Sequence, residues 1–472
     1  MKMFLNSEWV DRSETIDVLN PYDGSVVDTV PKGTGDDVDK AVEGLKAGAE
    51  TMRKMTAYRR FEILQTATQI MRERKEDLAQ TLSKEEGKTI KEARGEIDRS
   101  SQTMELSAEE AKRIYGEVLP LDAASHGAGK FGFTLRIPCG IVGAISPFNF
   151  PLNLVTHKVG PAIAAGNAVL LKPASDTPLI AMKLVEILLE AGLPTEAIAI
   201  ITGSGKEIGK AICTNPHIRK ITFTGSREVG EAICKMAGLK KVTMELGSNC
   251  PLVVMPDADL DKVAKLTVAT GFANAGQVCI SAQRILVDKS VYDEYLERLE
   301  KETQQVKAGN QLLEESGMGP MVRESDAVRV AEWIDEAVSG GARKLCGGER
   351  QGALLTPTVL ADVKPEMKVS YDEVFGPTVA VSHTSDIEEA IRSASNTNYG
   401  LSAAIFTQDI DRALKFAREV PSGNIHINWG TAWRADLMPY GGLKDSGLGK
   451  EGPKYAIEEM TESKTVVIHG KD

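Results

Sequence analysis

The sequence predicts an α/β protein: a doubly wound parallel sheet followed by a second unit of similar architecture. Three observations lead there. From residue 139 onward, short apolar runs alternate with helical stretches at intervals of about 20–30 residues, the rhythm of strand–helix–strand units. The runs are mostly apolar, as strands covered on both faces tend to be. The helical stretches carry Gly or Pro near their ends, where a chain is punctuated.

Taken in order, residues 37 to 111 read as helical, with apolar positions near i, i+3 and i+4 across 61–71 and charges between them. Gly116, Pro120, Gly127 and Gly129 break that pattern, so 114–133 reads as a loop or an extended arm. Runs at 140–145, 168–172, 197–202, 220–224 and 241–246 read as strands, with helices at 178–191, 206–213 and 228–236 between them. Ligands of such sheets sit beyond the carboxyl ends of the strands, which singles out the loops 146–151, 172–178, 202–206, 225–228 and 247–251. A second series follows: a helix at 259–274, a strand at 284–288, a helix at 292–306, and strands near 356–360 and 378–381. A final run at 464–469 reads as a strand that pairs either with another subunit or with an edge of its own chain.

At 472 residues the chain has room for two to four units, and 42% apolar with 26% charged residues is the composition of a globular protein. A formal charge of −11 gives no field to attract phosphate backbones, so nucleic acid is not an expected partner. The six cysteines (139, 213, 234, 250, 279 and 346) form no CxxC pair, and the six histidines show no ligand spacing. No metal is expected. No stretch reaches the roughly 18 apolar residues of a membrane span, nor does the start resemble a secretory segment. The expectation is a cytoplasmic protein in a reducing compartment, with no membrane partner.

Thr202-Gly-Ser-Gly-Lys-Glu-Ile-Gly places Gly203, Gly205 and Gly209 between a strand and a helix, a weak dinucleotide signal by itself. Phe223-Thr-Gly-Ser226 stands at the next such junction, where free N–H groups suit a phosphate. Cys279 follows a helix and precedes a strand; a lone cysteine is ordinarily a small buried hydrophobe. Its setting points further. Gly276-Gln277 permits close backbone approach, and Glu245 supplies a carboxylate at a strand end, so the two would form an acyl-transfer site if they face one another.

Six blocks in collinear order give the chain its resemblance to the NAD(P)-dependent aldehyde dehydrogenase superfamily over nearly its whole length. They are Pro147-Phe-Asn-Phe-Pro151, Lys172-Pro-Ala, Phe223-Thr-Gly-Ser226 with Glu245-Leu-Gly247, Gly276-Gln-Val-Cys279, Glu373-Val-Phe-Gly-Pro377 and Pro439-Tyr-Gly-Gly-Leu-Lys-Asp-Ser-Gly447. The resemblance implies a Rossmann-like cofactor domain (1–113 and 134–246), a catalytic domain (247–438), and an oligomerisation arm and terminal strand (114–133 and 453–472). It makes Cys279 the nucleophile, Glu245 the base that activates hydrolytic water, and the Asn149 amide with the Cys279 N–H the oxyanion hole. NAD and/or NADP would be held by Ser146, Pro147, Phe148, Lys172, Ser175, Gly205, Gly209, Thr224, Gly225, Ser226, Leu246, Glu373 and Phe375.

Two departures from the family pattern, Gly247-Ser248-Asn249 after the base and Phe148 in place of tryptophan, replace no group that does chemistry. Ser175 stands where NAD-preferring members often carry glutamate, so tolerance of NADP is expected. The loop 428–436 resembles those of enzymes acting on lactaldehyde, succinic semialdehyde or sulfolactaldehyde. Arg434, Trp433 and Arg99 are its substrate-binding candidates, with Arg434 either clamping an anion or simply pairing with Asp436. A CoA-acylating enzyme, whose members typically lack the glutamate found here at 245, and a catalytically silent protein on the same fold are the alternatives. A homodimer or homotetramer is expected.

Overall fold

A computed structural model describes residues 1–470. Its first sheet has five parallel strands side by side in the order Ile198–Ile200, Ala168–Lys172, Ile141–Ile145, Ile218–Thr224, Lys241–Glu245. The antiparallel pair Met3–Leu5 and Glu8–Val10 extends one edge, and Gly447–Leu448 closes the other. Chain order runs outward in both directions from Ile141–Ile145. The strand order therefore reverses between that strand and Ile218–Thr224, which opens a crevice at their carboxyl ends. Ser146 and Gly225 lie at that crevice.

The helical region resolves into Gly35–Lys54, Ala57–Glu73, Lys75–Glu86 and Ile90–Ala111. Gly87, in the left-handed region at φ 96°, ends the third of these. Thr89 and Glu92 exchange side-chain and backbone bonds to start the fourth. A further helix, Asn153–Ala164, has no counterpart in the sequence reading. All its residues are buried, so it has no polar face to give it helical periodicity.

The second sheet runs Arg343–Cys346, Thr358–Ala361, Thr378–Thr384, Arg284–Asp288, Pro251–Val254, Ser402–Phe406, Asn424–Ile427, parallel except for its first strand. The helix expected over 259–274 is shorter, Leu260–Gly271. It stops because Asn274 and Ala275 adopt left-handed backbone angles (φ 50° and 54°), which no right-handed helix can continue.

The terminal strand Thr461–His469 pairs antiparallel with Lys130–Pro138 of its own chain, in register from Thr461 opposite Pro138 to His469 opposite Lys130. Val118–Leu119 completes this small sheet, so 114–133 is in part strand rather than loop. Phe131, Leu135, Val467 and Ile468 are exposed on it. The helix Pro453–Glu459 packs instead on Asn153–Ala164 and Ile90–Ala111 of the first body. Among the described residues, no helix is long and apolar enough to cross a membrane.

Candidate active site

The loop that carries Cys279 is locked before it reaches the cysteine. Gly276 has φ 71°, and a β-carbon there would collide with the Gly376 carbonyl. The Asn274 N–H donates to Glu92 Oε1 at 2.7 Å, and its side-chain amide to Glu86 Oε1 at 2.8 Å and the Asn149 carbonyl at 3.1 Å. Gln277 spans Asn274 O (3.1 Å) and the Val322 N–H (3.0 Å). The Asn274 bonds tie the cysteine loop to the first body.

Asn149 sits opposite. Its Nδ2 donates to the Gln277 carbonyl at 2.8 Å, two residues before Cys279. Its own carbonyl accepts from Lys88 Nζ at 2.7 Å. Lys88 is buried and paired with Glu96 at 2.7 Å, whose second oxygen takes the N–H groups of Leu152 (2.9 Å) and Asn153 (3.0 Å). Burial works against the Lys88 ammonium, but Glu86 and Glu96 outweigh it and hold the group charged.

Glu245 ends its strand with both carboxylate oxygens buried and without a hydrogen-bond partner. A β-carbon at Gly441 would stand 2.8 Å from its Oε1, so glycine there leaves the carboxyl room. Desolvation, reinforced by the nearby Glu451 charge, raises its pKa well above the ordinary carboxylate range. Burial also pushes the Cys279 thiol up to about 12, opposed by a hydrogen bond from Tyr440. Burial thus keeps the resting Cys279 a thiol at neutral pH and favours the protonated form of Glu245.

Behind them lies a charged cluster of which the sequence named Arg99, Arg434 and Asp436 but not Lys158, Glu451 or His157. Lys158 Nζ reaches Glu451 Oε1 at 3.0 Å and Thr224 Oγ1 at 2.6 Å. Arg434 bonds Glu451 at 3.1 Å and donates to His157 Nδ1 at 3.2 Å, and stands 3.4 Å from Asp436. Asp436 also takes Arg99 at 3.0 Å and His157 at 2.9 Å. Although burial opposes it, Lys158 and Arg434 hold Glu451 down to about 2, so it stays ionised. Desolvation, with Arg434 close by, lowers the His157 pKa and keeps that ring neutral. His157 and Lys158, side by side in the mostly apolar 153–164 run, were a signal available in the sequence.

Arg434 is thus not the free clamp that the sequence allowed. Its side chain is 5% exposed and committed to Glu451, Asp436 and His157, because three elements bury it together. Arg99 keeps 37% of its side chain exposed, and Trp433 lies half-exposed against His426.

The expected cofactor residues fall into two groups. At the crevice, Ser146 Oγ is buried with no partner, Pro147 and Phe148 follow it half-buried, and Gly225 N–H is bonded to Glu245 O (3.1 Å). Ser226 caps the helix Arg227–Ala237, while Gly205 and Gly209 face open space where β-carbons would stand. Lys172 Nζ meets only the Pro173 carbonyl (2.7 Å), and burial lowers it to about 8. Ser175 Oγ donates to Gly203 O at 3.0 Å.

From the second body, Glu373 Oε1 accepts the Ser248 N–H at 2.8 Å, passing Gly247, where any β-carbon would strike that carboxylate. Burial raises Glu373 to about 7. The Phe375 ring meets Phe148 edge to face at 5.8 Å. Two expected members lie further in. Leu246 packs where a Gly230 side chain would go, and the Thr224 hydroxyl is taken by Lys158. No cluster of metal-ligating side chains occurs among the described residues.

Residues 9–466 match the model of the aldehyde dehydrogenase family. The chain is 46% identical over 467 residues to a 3-sulfolactaldehyde dehydrogenase of Priestia aryabhattai, covering 99% of this chain and 98% of the relative. It superposes with a TM-score of 0.96 on aldehyde dehydrogenase 21 of Physcomitrella patens in complex with the reaction product succinate (42% identity; 99% and 98% of the chains). It superposes at 0.94 on a glyceraldehyde-3-phosphate dehydrogenase of Methanocaldococcus jannaschii complexed with NADP (39% identity; 98% and 100%). With its sheet order, its cysteine loop and these matches over almost every residue, the chain belongs to the aldehyde dehydrogenase family of NAD(P)-dependent oxidoreductases.

Proposed function

We propose that the protein oxidises a short anionic aldehyde, of the sulfolactaldehyde or succinic semialdehyde type, to its free acid with NAD(P) as acceptor. The observation that carries the hydrolytic outcome is Glu245, buried near Cys279 with both oxygens unpartnered. A group left that way costs stability, which is reasonable only if water or substrate uses it. Cys279 attacks the aldehyde carbon through its sulfur, and the carbonyl electron pair moves onto oxygen. The Asn149 amide and the Cys279 N–H hold that oxyanion. A bound nicotinamide supplies hydride acceptance from the resulting adduct. Cys279 then carries the acyl group as a thioester, and Glu245 takes a proton from the water that attacks it.

The crevice fits a dinucleotide: the orphan Ser146 hydroxyl, the open ground at Gly205 and Gly209, and a capped helix start at Ser226 all suit ribose and phosphate. Lys172 and Ser175 face the adenosine ribose in this reading, with Glu373 and Phe375 on the nicotinamide side. Ser175 brings no negative charge, so a 2′-phosphate meets no repulsion and NADP is accepted.

Charge supports the anionic substrate. The ammonium and guanidinium groups of Lys158, Arg99 and Arg434 outnumber the carboxylates of Asp436 and Glu451 around which they gather, leaving one positive charge uncompensated. Three similar proteins handle sulfonate, carboxylate or phosphate chains, as their names and bound product indicate. Arg99 presents the accessible face of that cluster.

An aldehyde panel with both cofactors, followed by absorbance of the reduced nicotinamide, tests the reading. In Arg99→Ala, kcat/KM for charged aldehydes should fall at least tenfold while a neutral aldehyde such as lactaldehyde is little affected, since a charge-assisted contact contributes about 1.5–3 kcal/mol. Unchanged discrimination removes the anion site. Product release dependent on added CoA would favour the acylating alternative; cofactor binding without turnover of any aldehyde would favour the silent one.

A further inference from the structure

Tyr440 lies in the glycine-rich block near the carboxyl end, and neither the oxyanion hole nor the base accounts for it. It is 3% exposed. Its hydroxyl stands 3.5 Å from Cys279 Sγ, and no other side-chain or backbone bond to that hydroxyl exists among the described residues. The ring has no freedom to turn away. Its backbone bonds Glu451 in both directions (3.2 and 2.7 Å), and the Arg434 guanidinium lies 3.9 Å from the ring centroid. Arg434 is itself fixed by Glu451, Asp436 and His157.

The other groups facing the sulfur offer it no help as an anion. Glu245, Glu373 and the Cys250 thiol all disfavour negative charge there, and the Cys250 Sγ donates to the Cys279 carbonyl at 3.5 Å rather than to the sulfur. The cations of the site, Lys158, Arg434 and Lys450, are engaged with Glu451, His157 and the Gly441 carbonyl. One donor is aimed at the sulfur, and it is the phenol.

We propose that Tyr440 is a further catalytic residue, its O–H donating to the Cys279 sulfur and stabilising the attacking thiolate, with Arg434 the positioning residue that fixes the ring. The phenol keeps its proton throughout: it donates a hydrogen bond and transfers nothing. The thiol proton leaves to water, and the freed sulfur electron pair forms the carbon–sulfur bond. A cation over the ring face draws electron density from it and sharpens the O–H as a donor. Burial raises the phenol pKa well above 10, which keeps it a donor across the working range.

The proposal rests on Cys279 being the nucleophile, and the experiment separates the two. Iodoacetamide alkylation of Cys279 is followed by peptide mass spectrometry across pH in the full-length protein and in Tyr440→Phe, which removes one oxygen atom and keeps the ring. The alkylation midpoint should rise by about one unit, so the rate below it falls about tenfold, equivalent to about 1.4 kcal/mol. The acid limb of kcat/KM should move with it while NAD(P) affinity stays unchanged. An unmoved midpoint in folded Tyr440→Phe overturns the proposal. If Tyr440→Phe does not fold, 3-fluorotyrosine at 440, a stronger donor of nearly the same shape, decides: the midpoint falls if the proposal holds and stays if it fails.

Arg434→Lys, which keeps the charge and loses the planar face, should raise the midpoint in the same direction, and combined with Tyr440→Phe it should add nothing further. Additive shifts would show that Arg434 does not act through the tyrosine. Cys279→Ser that still oxidises aldehydes would sink the nucleophile reading itself, whatever Tyr440 does.

Discussion

At the scale of single residues, protonation governs this site. Glu245 works as a base only after losing a proton that burial and the neighbouring Glu451 charge make it keep. Its pKa is raised, so the basic form grows as pH increases, and thioester hydrolysis should accelerate with pH well above the ordinary carboxylate range. Glu245→Gln should retain a first-turnover burst of reduced nicotinamide. Steady-state turnover should drop about 100- to 10,000-fold, and the pH-dependent rise of hydrolysis should disappear. Stopped-flow absorbance at several pH values measures both. A variant with normal steady-state turnover would remove Glu245 from the hydrolytic step.

Arg434 shows how a residue's chemistry depends on its company. As a sequence position in a substrate-lining loop it offers a bidentate fork for an anion. In the fold, that fork is spent on Glu451 and His157, and the planar face lies on Tyr440. Arg99, eight positions along a helix from Lys91 and with no motif around it, keeps the exposed guanidinium.

At the scale of elements, the decisive feature is the short, irregular link between the helix Leu260–Gly271 and Cys279. A continuous helix through 274 would carry the cysteine past the oxyanion amide; the left-handed turn at Asn274 and Ala275 brings it back. The Glu86 and Glu92 side chains and the Asn149 main-chain carbonyl supply the bonds that hold that turn. Gly276→Ala should displace the loop by about an ångström and lower kcat about 100-fold, since misplacement of that size is enough. The thermal midpoint should move little, and normal turnover in Gly276→Ala would show that the loop tolerates a side chain.

The buried Lys88–Glu96 pair anchors the other side of the oxyanion hole. Removing one partner strands a charge in a dry interior, so Lys88→Met should cost about 3–5 kcal/mol and also lower kcat through the freed Asn149 carbonyl. Thermal unfolding and steady-state rates read the two effects separately. No loss of stability would mean that water reaches Glu96.

At the scale of the whole molecule, the three-stranded sheet stands out for what it leaves uncovered. Phe131, Leu135 and Ile468 are exposed apolar side chains on one face of strands that already pair within one chain, Ile468 directly opposite Phe131, while Val467 points to the other face. A contiguous apolar face of this kind marks a protein contact, and we propose that a second copy covers it. Light scattering coupled to size exclusion should give two or four chain masses, and Ile468→Asp should lower that number. A monomer in the unmodified protein would refute the assembly.

Much of this architecture was legible in the chain. Short, mostly apolar runs at 140–145, 168–172, 197–202, 220–224 and 241–246 marked the five parallel strands, because strands buried on both faces need no alternation. The helix Asn153–Ala164 escaped for the opposite reason, since a helix buried all round has no polar stripe. Motif order drew Cys279, Glu245 and Asn149 together before any coordinates did. It left Tyr440 in the last block without a role and did not draw in Lys158, Glu451 or His157, whose partners lie up to 293 positions away.

By itself, then, the sequence determined the kind of fold, the family, and the cysteine, carboxylate and amide on which the proposed chemistry rests. Local pattern encodes the fold, and the six motif blocks carry the family resemblance that singles out the three residues. Tertiary structure decided which charges are paired, which protons are held, and which donor meets the sulfur. Burial and Coulomb interaction act through space, and only the folded chain sets those distances.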